Sequence, residues 1–369
     1  MKKILLSIGL LSIAYGSYAQ TYEFQTIKDI EANPVISQDN TGTCWSFATT
    51  SFLEAEVIRL TGKHIDLSEM YNVRNTYPKK AWNYVMRQGK AQFGEGGLAH
   101  DVINSARDFG IVPQSVYIGK LNADDKYNHA EMTAVLEAML KTYVSNPGKK
   151  LSPQWKDAIN AVLDVYMGKN VSEFTYEGKK YTPKSFMELT KLNPSDYVTI
   201  SSYTNEPYYK PFLLDIPDNF SNDSFYNLPL DEFVQNIDNA IENGYTVALD
   251  SDVSEVTFSG KIGVAAIPEK EEDSKLILTE IKPEKNITAE YRQAEFENLD
   301  TQDDHLMHIV GKVKDQTGKV YYKVKNSWGA KNGKDGFVYM SVSYLKLKSI
   351  SVLLHKDGLV KTTKTKLGL

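Results

Sequence analysis

The chain has 369 residues, 41% of them hydrophobic and 24% charged, with a net charge of −5 at neutral pH. This is an ordinary globular composition, long enough for two core-forming lobes, and its mild acidity, spread along the chain, argues against a nucleic-acid or anionic-membrane surface. A single cysteine, Cys44, excludes an internal disulfide and leaves a thiolate-based zinc or iron site short of ligands.

The first stretch, "MKKILLSIGLLSIAYGSYAQ", places Lys2 and Lys3 before an apolar run from Ile4 to about Ala14 and ends in the small-x-small triplet Ser17, Tyr18, Ala19. It predicts a secretory signal peptide over residues 1–19, cleaved before Gln20. Loss of Lys2 and Lys3 with it takes the net charge from −5 to −7. The run is too short to span a bilayer comfortably, and no later segment stays apolar for 18 residues. A protein exported to the periplasm or beyond, with no membrane span, is therefore expected. Disulfides are common in such compartments, so a lone unpaired thiol there calls for a reason.

The next element begins at that thiol. After "TGTCWSFATT" (41–50), Ala48, Phe52, Ala55 and Ile58 recur at helical spacing, Glu54 and Glu56 serve as polar positions, and Gly62 follows as a stop. Gly42 and Thr43 precede as turn and cap, which puts Cys44 in the first helical turn. Unpaired N–H groups and the helix dipole favour a thiolate there. Base rates favour the other reading, a buried and inert thiol.

Further along, "HAEMTAVLEAMLKTYV" and "PQWKDAINAVLDVYM" have helical character, and the acidic, lysine-rich "PEKEEDSK" with the stretch up to Asp303 is expected to be a solvated loop. Of the six histidines, His64, His100, His129 and His355 lie in polar contexts that suggest solvated side chains. His305 and His308 belong to a predicted hairpin, "HLMHIVGKVK" (305–314) and "KVYYKVKNSW" (319–328), joined by "DQTG". Pairing Lys314 with Lys319 sets His305 opposite Trp328, Met307 opposite Asn326 and His308 opposite Lys325. His305, Asn326 and Trp328 then share a face, so His305 is the base that Asn326 can orient; a slip of one residue would select His308 instead.

These residues resemble the papain-like cysteine peptidases. Gln38 with "CWSFA" is similar to their oxyanion glutamine and nucleophile segment, "DHLMHIVG" (304–311) to their histidine strand, "KNSWG" (325–329) to their asparagine motif and "GEGGLAHDVIN" (94–104) to the glycine-rich wall of their cleft. The stretches 174–194, 228–254 and 258–264 resemble insertions of the bleomycin hydrolase and aminopeptidase C branch. The resemblance implies an α+β, two-lobe papain-like fold within residues 20–369: a helical lobe around the Cys44 helix, an inserted helical subdomain over 111–235 and a mainly β lobe over 236–369. It further implies peptide substrates, Cys44 as nucleophile, His305 as base, Asn326 as its orienting partner, and Gln38 with the Cys44 N–H as oxyanion donors. Gly96 and Gly97 would line the substrate, with Trp328 shielding the His305–Asn326 bond. No metal or cofactor is called for, and members of the branch often assemble as hexamers, so a homo-oligomer is one state the resemblance allows. Members of the branch are mostly cytoplasmic and continue into a C-terminal arm that lies in the cleft and selects free N-termini, whereas this sequence carries a leader and stops at Leu369. Aminopeptidase and open-cleft endopeptidase readings both stand at this point, as do acyl transfer to an amine and a binding module on the same scaffold.

Overall fold

A computed structural model describes residues 21–369, so the expected signal segment lies outside the described residues. The chain begins with β1 (Gln25–Asp29) and then enters the helices α1 (Cys44–Thr61), α2 (Glu69–Met86), α3 (Ala99–Phe109), α4 (Ala130–Ser145) and α5 (Trp155–Met167). A small hairpin, β2 (Phe174–Tyr176) and β3 (Lys179–Tyr181), and α6 (Pro183–Thr190) precede β4 (Tyr197–Ser201), β5 (Pro211–Leu213) and β6 (Ser224–Asn227). There follow α7 (Leu230–Glu242), β7 (Val247–Ser251), β8 (Phe258–Ser259), β9 (Val264–Ala265) and α8 (Ala289–Glu297). The chain closes with β10 (His305–Lys314), β11 (Val320–Lys325), β12 (Phe337–Ser341), α9 (Val342–Lys348), β13 (Ser349–His355) and α10 (Lys361–Leu367). The helix α8 stands inside the stretch expected to be a solvated loop. It is fixed by the buried Arg292, whose Nε donates to Ser202 O (2.8 Å) and Nη1 to Lys346 O (2.9 Å).

One sheet organises the molecule, in the order β5-β6-β4-β13-β7-β10-β11-β12-β9-β8, with β1 added along β10. Its centre is buried on both faces. Ala248, Leu306 and Leu353 join the helical core around Phe47, Phe52 and Val102, while Leu249, Met307, Ile309 and Val352 join a second core under α7 and α9. The period-two alternation of β10 thus divides the residues of the sequence motif between two lobes. Within the helical core runs α1, buried from Cys44 to Ile58, Glu54 and Glu56 included. A helix with no solvent face must pair its charges: Glu56 binds Arg59 through both oxygens (2.8 and 2.7 Å), and Glu54 accepts from Leu67 N (2.8 Å).

The hairpin of β10 and β11 departs from the simple pairing in two places. Asp315 Oδ1 accepts from Thr317 N (2.8 Å) and Lys319 N (3.0 Å), so the turn takes residues 316–318 with Gly318 at φ +90, and Lys314 pairs with Val320 rather than Lys319. Between Ile309 and Gly311 the register shifts by one residue, and His308 then pairs with Lys325 as expected. The bulge falls where β10 changes its neighbour, from β7 along His305–Ile309 to β1 along Gly311–Lys314. There Ile30 N donates to Val310 O (2.8 Å), and a Cβ at Gly311 would fall 2.2 Å from Lys28 O.

Candidate active site

The turn before α1 is cross-braced. Gln38 Nε2 donates to Thr41 O (2.7 Å), Thr41 Oγ1 donates to Gln38 O (2.9 Å) and pairs with Thr43 Oγ1 (2.6 Å). Thr43 occupies the cap position, yet its side chain makes no capping bond. Cys44 opens the helix and is 8% exposed. The Leu306 main-chain N–H, next to His305 on β10, acts on its sulfur, which places the thiol at the start of that strand.

His305 Nε2 lies 2.8 Å from Asn326 Oδ1, an acceptor, so the proton resides on Nε2 and Nδ1 is left as the free base. Asn326 is itself set by Ser327 N, which donates to the same oxygen (2.7 Å). Trp328 covers the pair, its ring 4.8 Å from the His305 ring at 32°. Ser327 Oγ donates to Gln38 Oε1 (2.5 Å) and Gln38 N donates to Ser327 O (2.9 Å), which ties the asparagine loop to the turn before Cys44. One amide hydrogen of Gln38 is spent on Thr41 O, and the second remains for an oxyanion.

His308 faces the other way. It is buried against α1, its Nδ1 3.0 Å from Ser51 Oγ and its ring set edge-on to Phe52. His100, His129 and His355, expected to be solvated, are buried as well, because aromatic neighbours distant in sequence cover them: Phe225, Tyr77 and Tyr245 respectively. Of the four only His64 is exposed, held by Glu31 and Asn33.

Burial governs the electrostatics. It pushes the Cys44 thiol up to about 12, with Asp303, Asp250 and Asp218 adding to the rise and the Leu306 N–H opposing it. It also holds His305 below its ordinary value, against the pull of Asn326 and Asp304. Both shifts favour the uncharged forms. Passing the proton from sulfur to Nδ1 creates both charges together, with no net charge to desolvate.

The model of the peptidase C1-like family matches residues 83–368. The chain belongs to this family. Among its relatives, aminopeptidase G of Lactobacillus delbrueckii subsp. lactis is 24% identical, with 96% of this chain and 88% of the relative covered. The mitochondrial cysteine proteinase 1 of Saccharomyces cerevisiae is 25% identical over 93% and 79%, and aminopeptidase C of Streptococcus thermophilus 22% over 90% and 82%. The crystal structure of PepW from Lactobacillus rhamnosis HN001 superposes with a TM-score of 0.73 at 18% identity, over 93% of this chain and 84% of that one. As a peptidase C1-like chain it is a cysteine-type peptidase with the papain-like α+β fold.

The other wall of the site in this peptidase C1-like chain is the segment before α3. Glu95 reaches back to the nucleophile turn, its Oε2 accepting from Gly42 N (2.6 Å) and its main-chain O from Trp45 Nε1 (2.9 Å). A Cβ at Gly97 would stand 3.0 Å from the Trp45 ring, and one at Gly96 would stand 1.9 Å from Asp218 Oδ2. Both glycines are therefore required by what packs on them, whatever passes along the cleft. The buried Lys80 donates from Nζ to Gly96 O. Sequence reasoning missed Glu95, Ser327, Lys80 and Asp218. Ser327 and Glu95 lie inside quoted motifs and could have been asked for partners, whereas nothing local marks Lys80 or Asp218.

Proposed function

We propose that this cysteine peptidase is an aminopeptidase acting on peptides, with Cys44 as nucleophile, His305 as general base and acid, Asn326 as the group that orients the ring, and Gln38 as oxyanion donor. The observation that carries the assignment of roles is the 2.8 Å bond from His305 Nε2 to Asn326, which leaves Nδ1 to take the thiol proton. The thiolate attacks the peptide carbonyl and the electron pair moves to oxygen, where the second Gln38 amide hydrogen and the Cys44 N–H receive it; donors of this kind are worth about 3 kcal/mol each. His305 returns its proton to the leaving amine, and water, deprotonated by the same nitrogen, releases the acid from the thioester. Trp328 keeps water off the His305–Asn326 bond, and Gly96 and Gly97 form the wall along which substrate lies.

Aminopeptidase action is supported by relatives of that name that align along nearly the whole chain. The described C-terminal helix α10 packs on α7: Asn236 Nδ2 donates to Thr363 Oγ1 (3.1 Å) and Lys366 Nζ bonds Glu232 (3.0 Å). The reading includes export, on the strength of residues 1–19, and N-terminal sequencing of the secreted protein should begin at Gln20. The deciding experiment digests one peptide in free and N-acetylated form and identifies products by mass spectrometry. Stepwise loss of residues from the free form alone is expected. Equal internal cleavage of both would overturn the aminopeptidase and leave an endopeptidase with the same catalytic groups.

A further inference from the structure

We propose that Asp218, Asp250 and Asp303 form the anchor for the substrate's α-ammonium group, so that the free N-terminus is recognised by carboxylates of the peptidase body. This rests on the aminopeptidase reading above. The three come from different places in the chain, and the charge of each acts on the Cys44 thiol. Asp218 belongs to the loop between β5 and β6 and lies over the cleft glycine, its Oδ2 filling the space where a Gly96 Cβ would be. Asp303 stands two residues before His305. Asp250 is on β7, paired with Leu306, the residue whose N–H acts on the Cys44 sulfur.

Asp250 is the floor of the group. It is 2% exposed, and neither of its carboxylate oxygens meets a donor. A buried carboxyl without a donor is costly, and burial is the first cause that raises both acids: Asp250 well above the carboxylate range, with the charge of Asp303 adding, and Asp303 to about 7, with the charge of Asp218 adding and Asp250 opposing. Asp218 and Asp303 are partly exposed and form the rim. Asp218 Oδ1 accepts from Gln92 Nε2 (3.2 Å), and among the described residues no lysine or arginine lies within ion-pair distance of it. Lys80, held on Gly96 O, is a cation that acts on both Asp218 and Asp303. Three carboxyls against one ammonium leave room for a second, and a peptide N-terminus laid along Gly96 supplies it.

The arrangement also couples binding to chemistry. The same three aspartates raise the Cys44 thiol. A bound ammonium offsets their field, so a substrate with a free N-terminus makes its own nucleophile easier to ionise, and an acetylated one does not.

The test uses the full-length enzyme and aminoacyl fluorogenic amides. Asp218→Asn should raise KM about tenfold or more while kcat falls less than about threefold, and Asp218→Glu should recover most of the loss. Asp303→Asn gives a second, independent reading if Asp218→Asn does not fold, and should also raise KM. An unchanged KM in both asparagine variants, with the wild type still demanding a free N-terminus, overturns the anchor and leaves the aminopeptidase intact. Equal cleavage of free and acetylated peptides by the wild type overturns both. A KM effect confined to substrates with Lys or Arg side chains also overturns the anchor, because the aspartates would then be reading a side chain.

Discussion

The two ends of the β10–β11 hairpin carry different pairings of the same strands, and the candidate site lies at only one of them. At the turn, Asp315 closes a three-residue loop and sets Lys314 against Val320; past the bulge, His308 meets Lys325. Extending the turn's pairing to the strand start without the bulge would set His308 opposite Asn326. The extra residue brings His305 to Asn326 and turns His308 into the helical core. A local irregularity, placed where β10 passes from β7 to β1, therefore decides which imidazole meets Asn326.

The widest separation between the two ends should come from the histidines. His305→Ala is expected to lower turnover by about a thousandfold or more with the fold retained, as judged by circular dichroism and the initial rate on an aminoacyl amide. Comparable loss from His308→Ala, with its fold retained, would break the comparison. Next comes the bulge itself. Gly311→Ala places a Cβ 2.2 Å from Lys28 O, a backbone atom, and should cost about 3 kcal/mol in denaturant unfolding.

His308→Ala should leave most of the turnover and cost about 2 kcal/mol through the cavity left beside Ser51 and Phe52. It also has a pH signature. His308 is held neutral well below its ordinary value by burial and Lys325, so the unfolded chain binds its proton first and stability falls as pH drops below 6.5. The variant should lose less stability than wild type over that descent; parallel curves would show that His308 is not the buried neutral group described. The smallest effect belongs to the turn: Gly318→Ala, at φ +90 with open space around it, should cost about 1 kcal/mol and leave turnover unchanged.

The candidate site residues were legible because each lies in a short contiguous motif whose neighbours dictate its placement. Cys44 follows a turn and opens a helix, and Asn326 is flanked by Ser327 and Trp328, which bond and cover it. The pairing of His305 with Asn326 is legible although the sequence sets Lys314 against Lys319 at the turn, because the bulge restores the register further along. The burial of His100, His129 and His355 was not legible, since the rings that cover them arrive from elsewhere in the chain. Asp218 escaped for the same reason, standing 122 positions from the glycine it covers. Glu54 and Glu56 looked solvent-facing by their type, and only the layer of sheet and helices around α1 removes that face.

The solitary thiol at the head of a helix buried as far as Ile58 makes the molecule its own reporter of breathing. A small alkylating agent that enters the cleft measures the reactivity of Cys44, while a bulky disulfide reagent has to wait until the lobes part or the chain unfolds. With no other cysteine to compete, the dependence of the second rate on denaturant gives the free energy of opening at this one boundary, residue-specific and without any engineered label.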